Sequence, residues 1–145
     1  VKGYDTRILG LNLRLPEINA AIAKIQMKKL PKFLQTRQKN AELLSELLSK
    51  SNLSLPTQRK YEKVNWYLYT ITSSKRNTLL KKLNEKGIGA ASYYPIPVHK
   101  TPFYKSKTKL PITEWAASKV LSLPIHPKVT SKNIEFISKS IFELL

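Results

Sequence analysis

The placement of nine prolines along 145 residues constrains this chain more than any other feature. Proline has a fixed φ and no backbone N–H, so it opens helices, ends or bends them, and lies only at the margins of sheets. Pro16 can open a helix: Leu15 before it is biased away from helical geometry and Glu17 suits the positive helix end. Ile18, Ala21, Ile22 and Ile25 then recur at steps of three and four. Pro31 is expected to end or kink that helix, and a second helix to run from there to about Lys50 with Leu34, Ala41, Leu44 and Leu48 on one stripe. Pro56 falls in a polar connection, residues 51–63. Pro95, Pro97 and Pro102 forbid regular structure from Tyr94 to Tyr104, which predicts an ordered or functional loop. Pro124 restricts the apolar run from Val120 to Ile125 to a sheet end or edge.

Between the prolines the pattern alternates. Trp66 to Thr72 is aromatic and β-branched and predicts a strand. Ser73 or Ser74 can cap a helix through Lys86, with Leu79, Leu80 and Leu83 inward and Gly87 ending it. Gly89 to Tyr94 predicts a second strand, Thr113 caps a short helix to Lys119, and Thr130 or Ser131 opens a last helix carrying Ile134, Ile137, Ile141 and Leu144. Two helices followed by strand, helix, strand, loop, helix, strand and helix place the chain in the α/β class.

A chain of this length can bury roughly 70% of its unfolded surface, and its hydrophobic content of 41% excludes disorder by composition. The absence of cysteine excludes disulfides, thiolate metal sites and cysteine nucleophiles. The net charge of +17 attracts polyanions, yet the lysines fall in short groups such as Lys28-Lys29 and Lys81-Lys82, without a long basic block or an aromatic-basic ribonucleoprotein signature. A lysine-rich solvated surface explains the same pattern. No apolar run reaches the roughly 18 residues of a spanning helix, and no signal-peptide pattern is present, so a cytoplasmic protein is expected. The opening at Val1, with a polar glycine-punctuated stretch, suggests a piece of something longer.

Candidate chemical groups are few. His99 and His126 both stand in proline frames, where a stiff loop can aim an imidazole at a site or simply fix itself by a hydrogen bond. No metal-ligand spacing links them. Asp5 is the only aspartate, and no carboxylate pair of the glycosidase type exists. Gly87-Ile88-Gly89 follows a helix instead of opening one, unlike a phosphate-binding loop. Tyr67 and Tyr69 alternate with their neighbours as packing residues of a strand would.

Several stretches, taken together and in order, resemble the C-terminal part of the DegT/DnrJ/StrS-type sugar aminotransferases, pyridoxal-phosphate enzymes of fold type I. They are Gly10-Leu11-Asn12-Leu13-Arg14-Leu15-Pro16-Glu17, Gln26 to Leu30, Arg37 with Asn40-Ala41, Tyr69, Gly87-Ile88-Gly89, Tyr93-Tyr94-Pro95-Ile96-Pro97-Val98-His99, Leu110 to Glu114, and Val120 to Pro127. The resemblance covers most of the chain. Many relatives carry a histidine where Tyr67 stands, which leaves the strand intact but not any role of that position.

The resemblance implies a loop from a missing large domain over 1–15, linking helices over 16–50, and a small C-terminal domain over 51–145 with a mainly antiparallel sheet flanked by helices. It implies that Asn12 reaches the neighbouring subunit's pyridoxal 5'-phosphate in a homodimer with shared active sites, and that an amide there donates to a phosphate oxygen. Arg14 could hold an anionic group or fix the interface. Tyr94 and His99 would line the sugar-nucleotide side. The implied reaction moves an amino group, from an amino-acid donor such as glutamate, onto a nucleotide-linked keto sugar. The Schiff-base lysine, the acidic partner of the pyridine nitrogen and the stacked aromatic belong upstream in the family, so this stretch alone would be inactive. A sugar dehydratase of the same family and a free-standing polyanion-binding module are the alternatives.

Overall fold

The computed structural model describes residues 10, 11 and 13–145. Its internal contacts divide the chain into two units that meet between Pro31 and Lys32.

The element order is α1 (Glu17–Leu48), β1 (Tyr69–Thr72), α2 (Arg76–Glu85), a single 3-10 turn (Val98–Lys100), α3 (Pro111–Lys119), β2 (Val120–Leu123) and α4 (Ser131–Leu144). The two helices expected on either side of Pro31 are one: α1 runs through that proline for 32 residues. Proline withholds only one hydrogen bond from the ladder, and the good helix formers flanking Pro31 on both sides carry the helix past it.

In the second unit, β1 pairs antiparallel with β2, with Tyr69 opposite Leu123 and Ile71 opposite Leu121. All four are buried on one face. On the other face Thr70 sits opposite Ser122, their hydroxyls 2.9 Å apart. Ala41, Leu44 and Leu48 of α1, Leu79 and Leu83 of α2, and Ile134, Ile137 and Ile141 of α4 complete the core. Each fully buried leucine or isoleucine among them stabilises the fold by about 1.5–3 kcal/mol. Buried Asn40 joins that core to the segment between β2 and α4 by donating from Nδ2 to the carbonyls of Ile125 (3.3 Å) and Val129 (3.0 Å).

Several local expectations change. The strand predicted from Trp66 begins only at Tyr69, because Trp66 takes a left-handed φ of 49°. That costly conformation is held from α1: Arg37 Nη1 donates to the carbonyls of Trp66 (3.1 Å) and Tyr67 (2.9 Å), and Trp66 Nε1 donates to Gln38 Oε1 at 2.7 Å. The strand predicted over Gly89–Tyr94 reduces to one bridge, Ala91 with Ser122. A tight turn from Ile88 to Ala90 precedes it and Pro95, which has no N–H for a ladder, follows. Helix α3 opens at Pro111, two residues before the expected Thr113 cap; proline suits the first helical position, and the Glu114 carboxylate accepts from Leu110 N–H at 3.1 Å.

The start of α2 also departs from expectation: its cap position is Lys75, without a side-chain cap, and the Ser73 hydroxyl accepts from the Lys75 amide at 3.1 Å instead of capping the helix. Two other boundaries follow the predicted chemistry. Gly87 ends α2 at a φ of +79°, and the Gly87 and Ile88 amides donate to the carbonyls of Asn84 and Leu83. Thr130 and Asn133 form a reciprocal capping box at the start of α4. Among the described residues no helix is long and apolar enough to cross a membrane.

Candidate functional site

The proline-rich segment is a fixed loop. Its 3-10 turn from Val98 to Lys100 is closed by Thr101, whose hydroxyl donates to the Val98 carbonyl at 2.8 Å, and the Ser106 amide returns to the His99 carbonyl at 2.9 Å. The loop is then fastened to α3. His99 Nε2 lies 3.1 Å from Glu114 Oε1, and Lys100 Nζ lies 3.5 Å from the same oxygen. A carboxylate only accepts, so the imidazole proton sits on Nε2. The Leu110 amide, then His99, then Lys100 hold the Glu114 carboxyl below the usual carboxylate range.

Between this loop and α3 lies an apolar cavity of about 250 Å³, walled by Tyr93, Tyr94, Pro97 and Val98 on one side and by Thr113, Ala116 and Ala117 on the other. Alanine at two positions of α3 leaves the space that a larger side chain would fill. Behind α3, the buried Arg76 donates from Nη2 to the Ala117 carbonyl (2.9 Å) and from Nε to the Ser118 carbonyl (3.2 Å), closing the last turn of that wall with a cation at the negative helix end.

A second cavity, about 230 Å³, lies on the sheet side of the same loop and includes Arg37, Tyr67, Gly89, Tyr93, Ser122 and His126 in its lining. Tyr93 belongs to both cavities. Arg37 packs its guanidinium over the Tyr67 ring at 5.7 Å. The backbone amide of Lys128 donates to His126 Nδ1 at 3.3 Å, which puts the proton of the neutral ring on Nε2.

The residues singled out from sequence fare differently. Asn12 lies outside the described residues. Arg14 is exposed in the first unit. Tyr94 is largely exposed and walls the apolar cavity. His99 is close by in the chain but is turned onto Glu114, with its side chain 13% exposed. Three groups escaped the sequence reading: Glu114, Arg37 as a cavity residue, and Tyr67. Tyr67, read as a packing residue of a strand, lies ahead of β1 and is 71% exposed. Among the described residues no cluster of three or more histidine, aspartate or glutamate side chains could hold a metal ion.

The small antiparallel sheet packed against helices, with a proline loop facing α3, is the architecture of a fold type I aminotransferase C-terminal domain. The chain belongs to the DegT/DnrJ/EryC1/StrS aminotransferase family, whose model matches residues 1–142. It is 32% identical over 97% of its length to the pleiotropic regulatory protein of Geobacillus stearothermophilus, of which it covers 40%. It is 34% identical over 86% of its length to the dTDP-3-amino-3,4,6-trideoxy-alpha-D-glucose transaminase of Streptomyces venezuelae, of which it covers 34%. Among solved structures, DesV of S. venezuelae superposes with a TM-score of 0.89 at 28% identity, over 98% of this chain and 40% of that one. The chain therefore spans about two-fifths of the length of such relatives.

Proposed function

We propose that this chain is the C-terminal part of a pyridoxal-phosphate-dependent enzyme that transfers an amino group, from glutamate, onto a nucleotide-linked keto sugar in the cytoplasm. The observation that carries the reading is agreement in both sequence and fold, over nearly the whole chain, with sugar aminotransferases. Covalent attachment of the cofactor needs a lysine, and neither cavity at the proline loop is lined by one. The two cavities at the proline loop thus do not fit covalent attachment of the cofactor, which supports an inactive fragment whose cofactor is bound mainly by an upstream domain. The apolar stripe of Ile18, Ile22 and Ile25 along the first half of α1 is exposed, as expected of a face that such a domain or a dimer mate covers.

In this reading Asn12 serves the cofactor phosphate of the partner subunit and Arg14 an anionic group of the substrate or the interface. Tyr94 meets the acceptor sugar directly, and His99 shapes the same wall through its bond to Glu114. The surplus of basic residues helps draw in an acidic nucleotide sugar.

The test is the intact mass of the protein as its native source makes it, after borohydride reduction has fixed any lysine-bound cofactor. A much longer chain bearing a pyridoxyl increment is the expected result. A longer chain without the increment moves the assignment to the dehydratase relatives, and a chain of this length without it to a separate polyanion-binding module.

A further inference from the structure

We infer that the cavity of Arg37, Tyr67, Tyr93 and His126 is a binding site for an oxyanion, a carboxylate or a phosphate carried by a small ligand. The argument is the donor inventory of its walls. Arg37 is half-buried, and among the described residues no carboxylate pairs with it. Only its Nη1 is engaged, by the Trp66 and Tyr67 carbonyls, so Nη2 and Nε remain as donors. The hydroxyls of Tyr67 and Tyr93 have no hydrogen-bond partner among the described residues, and His126 keeps Nε2–H as a donor because its Nδ1 accepts from Lys128.

No aspartate or glutamate lines the space. A cleft with a cation, two phenols and an imidazole N–H, and without a competing anion, is complementary to a negatively charged oxygen group. Its volume of about 230 Å³ admits a molecule the size of an amino acid or an inorganic phosphate. The two Arg37 bonds to backbone carbonyls also fix the guanidinium in advance, which lowers the cost of ordering it on binding.

The site deepens the proposed function, since such a ligand group would be either the carboxylate of the amino donor or a phosphate of the nucleotide sugar. It stands or falls separately, because its test needs neither cofactor nor turnover. In the protein as its native source makes it, labelled with 15N-arginine, the Arg37 Nε–Hε resonance is followed while glutamate, inorganic phosphate and a nucleoside diphosphate are titrated in turn at constant ionic strength.

A saturable shift of the Arg37 signal, larger than that of Arg59 or Arg76, is the expected result. Saturation by glutamate alone assigns the carboxylate, and saturation by the phosphate ligands assigns the phosphate. The Tyr67→Phe variant should weaken binding about tenfold while leaving the spectrum folded, and Arg37→Lys should abolish it. Equal small shifts of all arginine signals, or none with any ligand, would overturn the site. So would unchanged affinity in both variants.

Discussion

The Nε2 atom of His99 donates to Glu114 Oε1 across 3.1 Å, and that contact helps join the proline loop to the first turns of α3. Because the Leu110 amide and Lys100 share the same carboxylate oxygen, Glu114 is the hub of the fastening. Its carboxyl is held below the usual range, so the stabilisation it provides is fully present above ordinary carboxylate pKa values and is lost as pH falls through the lowered one. Glu114→Gln should lower the thermal midpoint at neutral pH, and the gap to the unaltered chain should close in acid. A gap that stays constant over the whole acid range would show that the charge of Glu114 is not what holds the loop.

Arg76 is the buried cation at the end of α3. Replacing it by methionine keeps the stem but strands two carbonyls, and should cost about 2–3 kcal/mol in urea unfolding. Lysine keeps the charge without the planar fork and should recover only part of that loss. Full recovery by lysine would mean that the helix-end charge matters and the paired bonds do not.

Asn40 offers a sharper contrast. Its amide nitrogen satisfies two carbonyls from the segment after β2. Asn40→Ala should destabilise by about 1–3 kcal/mol. Asn40→Asp, nearly the same size, should be worse, because it turns a donor into an acceptor facing two acceptors. Equal stability of the two variants in denaturant unfolding would refute this account.

Tyr69 is fully buried, and burial pushes its phenol above the ordinary value of 10.0, against the opposing hydrogen bond to Ser45. Stability from the neutral phenol is complete below the ordinary value and disappears as pH rises through the raised one. Ultraviolet titration should therefore show one tyrosine ionising late, together with unfolding, and Tyr69→Phe should remove that phase.

Much of this architecture was legible from local rules. The cap at Thr130, the stop at Gly87, and the apolar spacing of Ile134, Ile137 and Ile141 are each set by neighbours within a few residues. What escaped depends on distant partners. The left-handed Trp66 is stabilised by Arg37 and Gln38, 29 and 28 residues earlier, and without them the same letters describe a strand. The partnership of His99 and Glu114 crosses 15 residues and a loop, and neither residue alone announces it. The two cavities are defined by Tyr93 lying between the sheet and α3, which no periodicity encodes. The family pattern pointed to Tyr94 in the same loop, but not to the ring beside it.

The proline inside α1 has a thermodynamic consequence of its own. With no N–H at Pro31, the carbonyl of Met27 lacks its ladder partner, and every buried residue of this helix lies beyond that break, from Asn40 onward. Among the described residues the turns from Glu17 to Leu30 bury no side chain, and isolated helices of about 12–15 residues are marginal in water. Their amides should exchange with deuterium far faster than those from Asn40 to Leu48. Fraying that starts at Glu17 should run as far as the proline and stop there, because the next turns are anchored by Arg37 and by the apolar side chains at 41, 44 and 48.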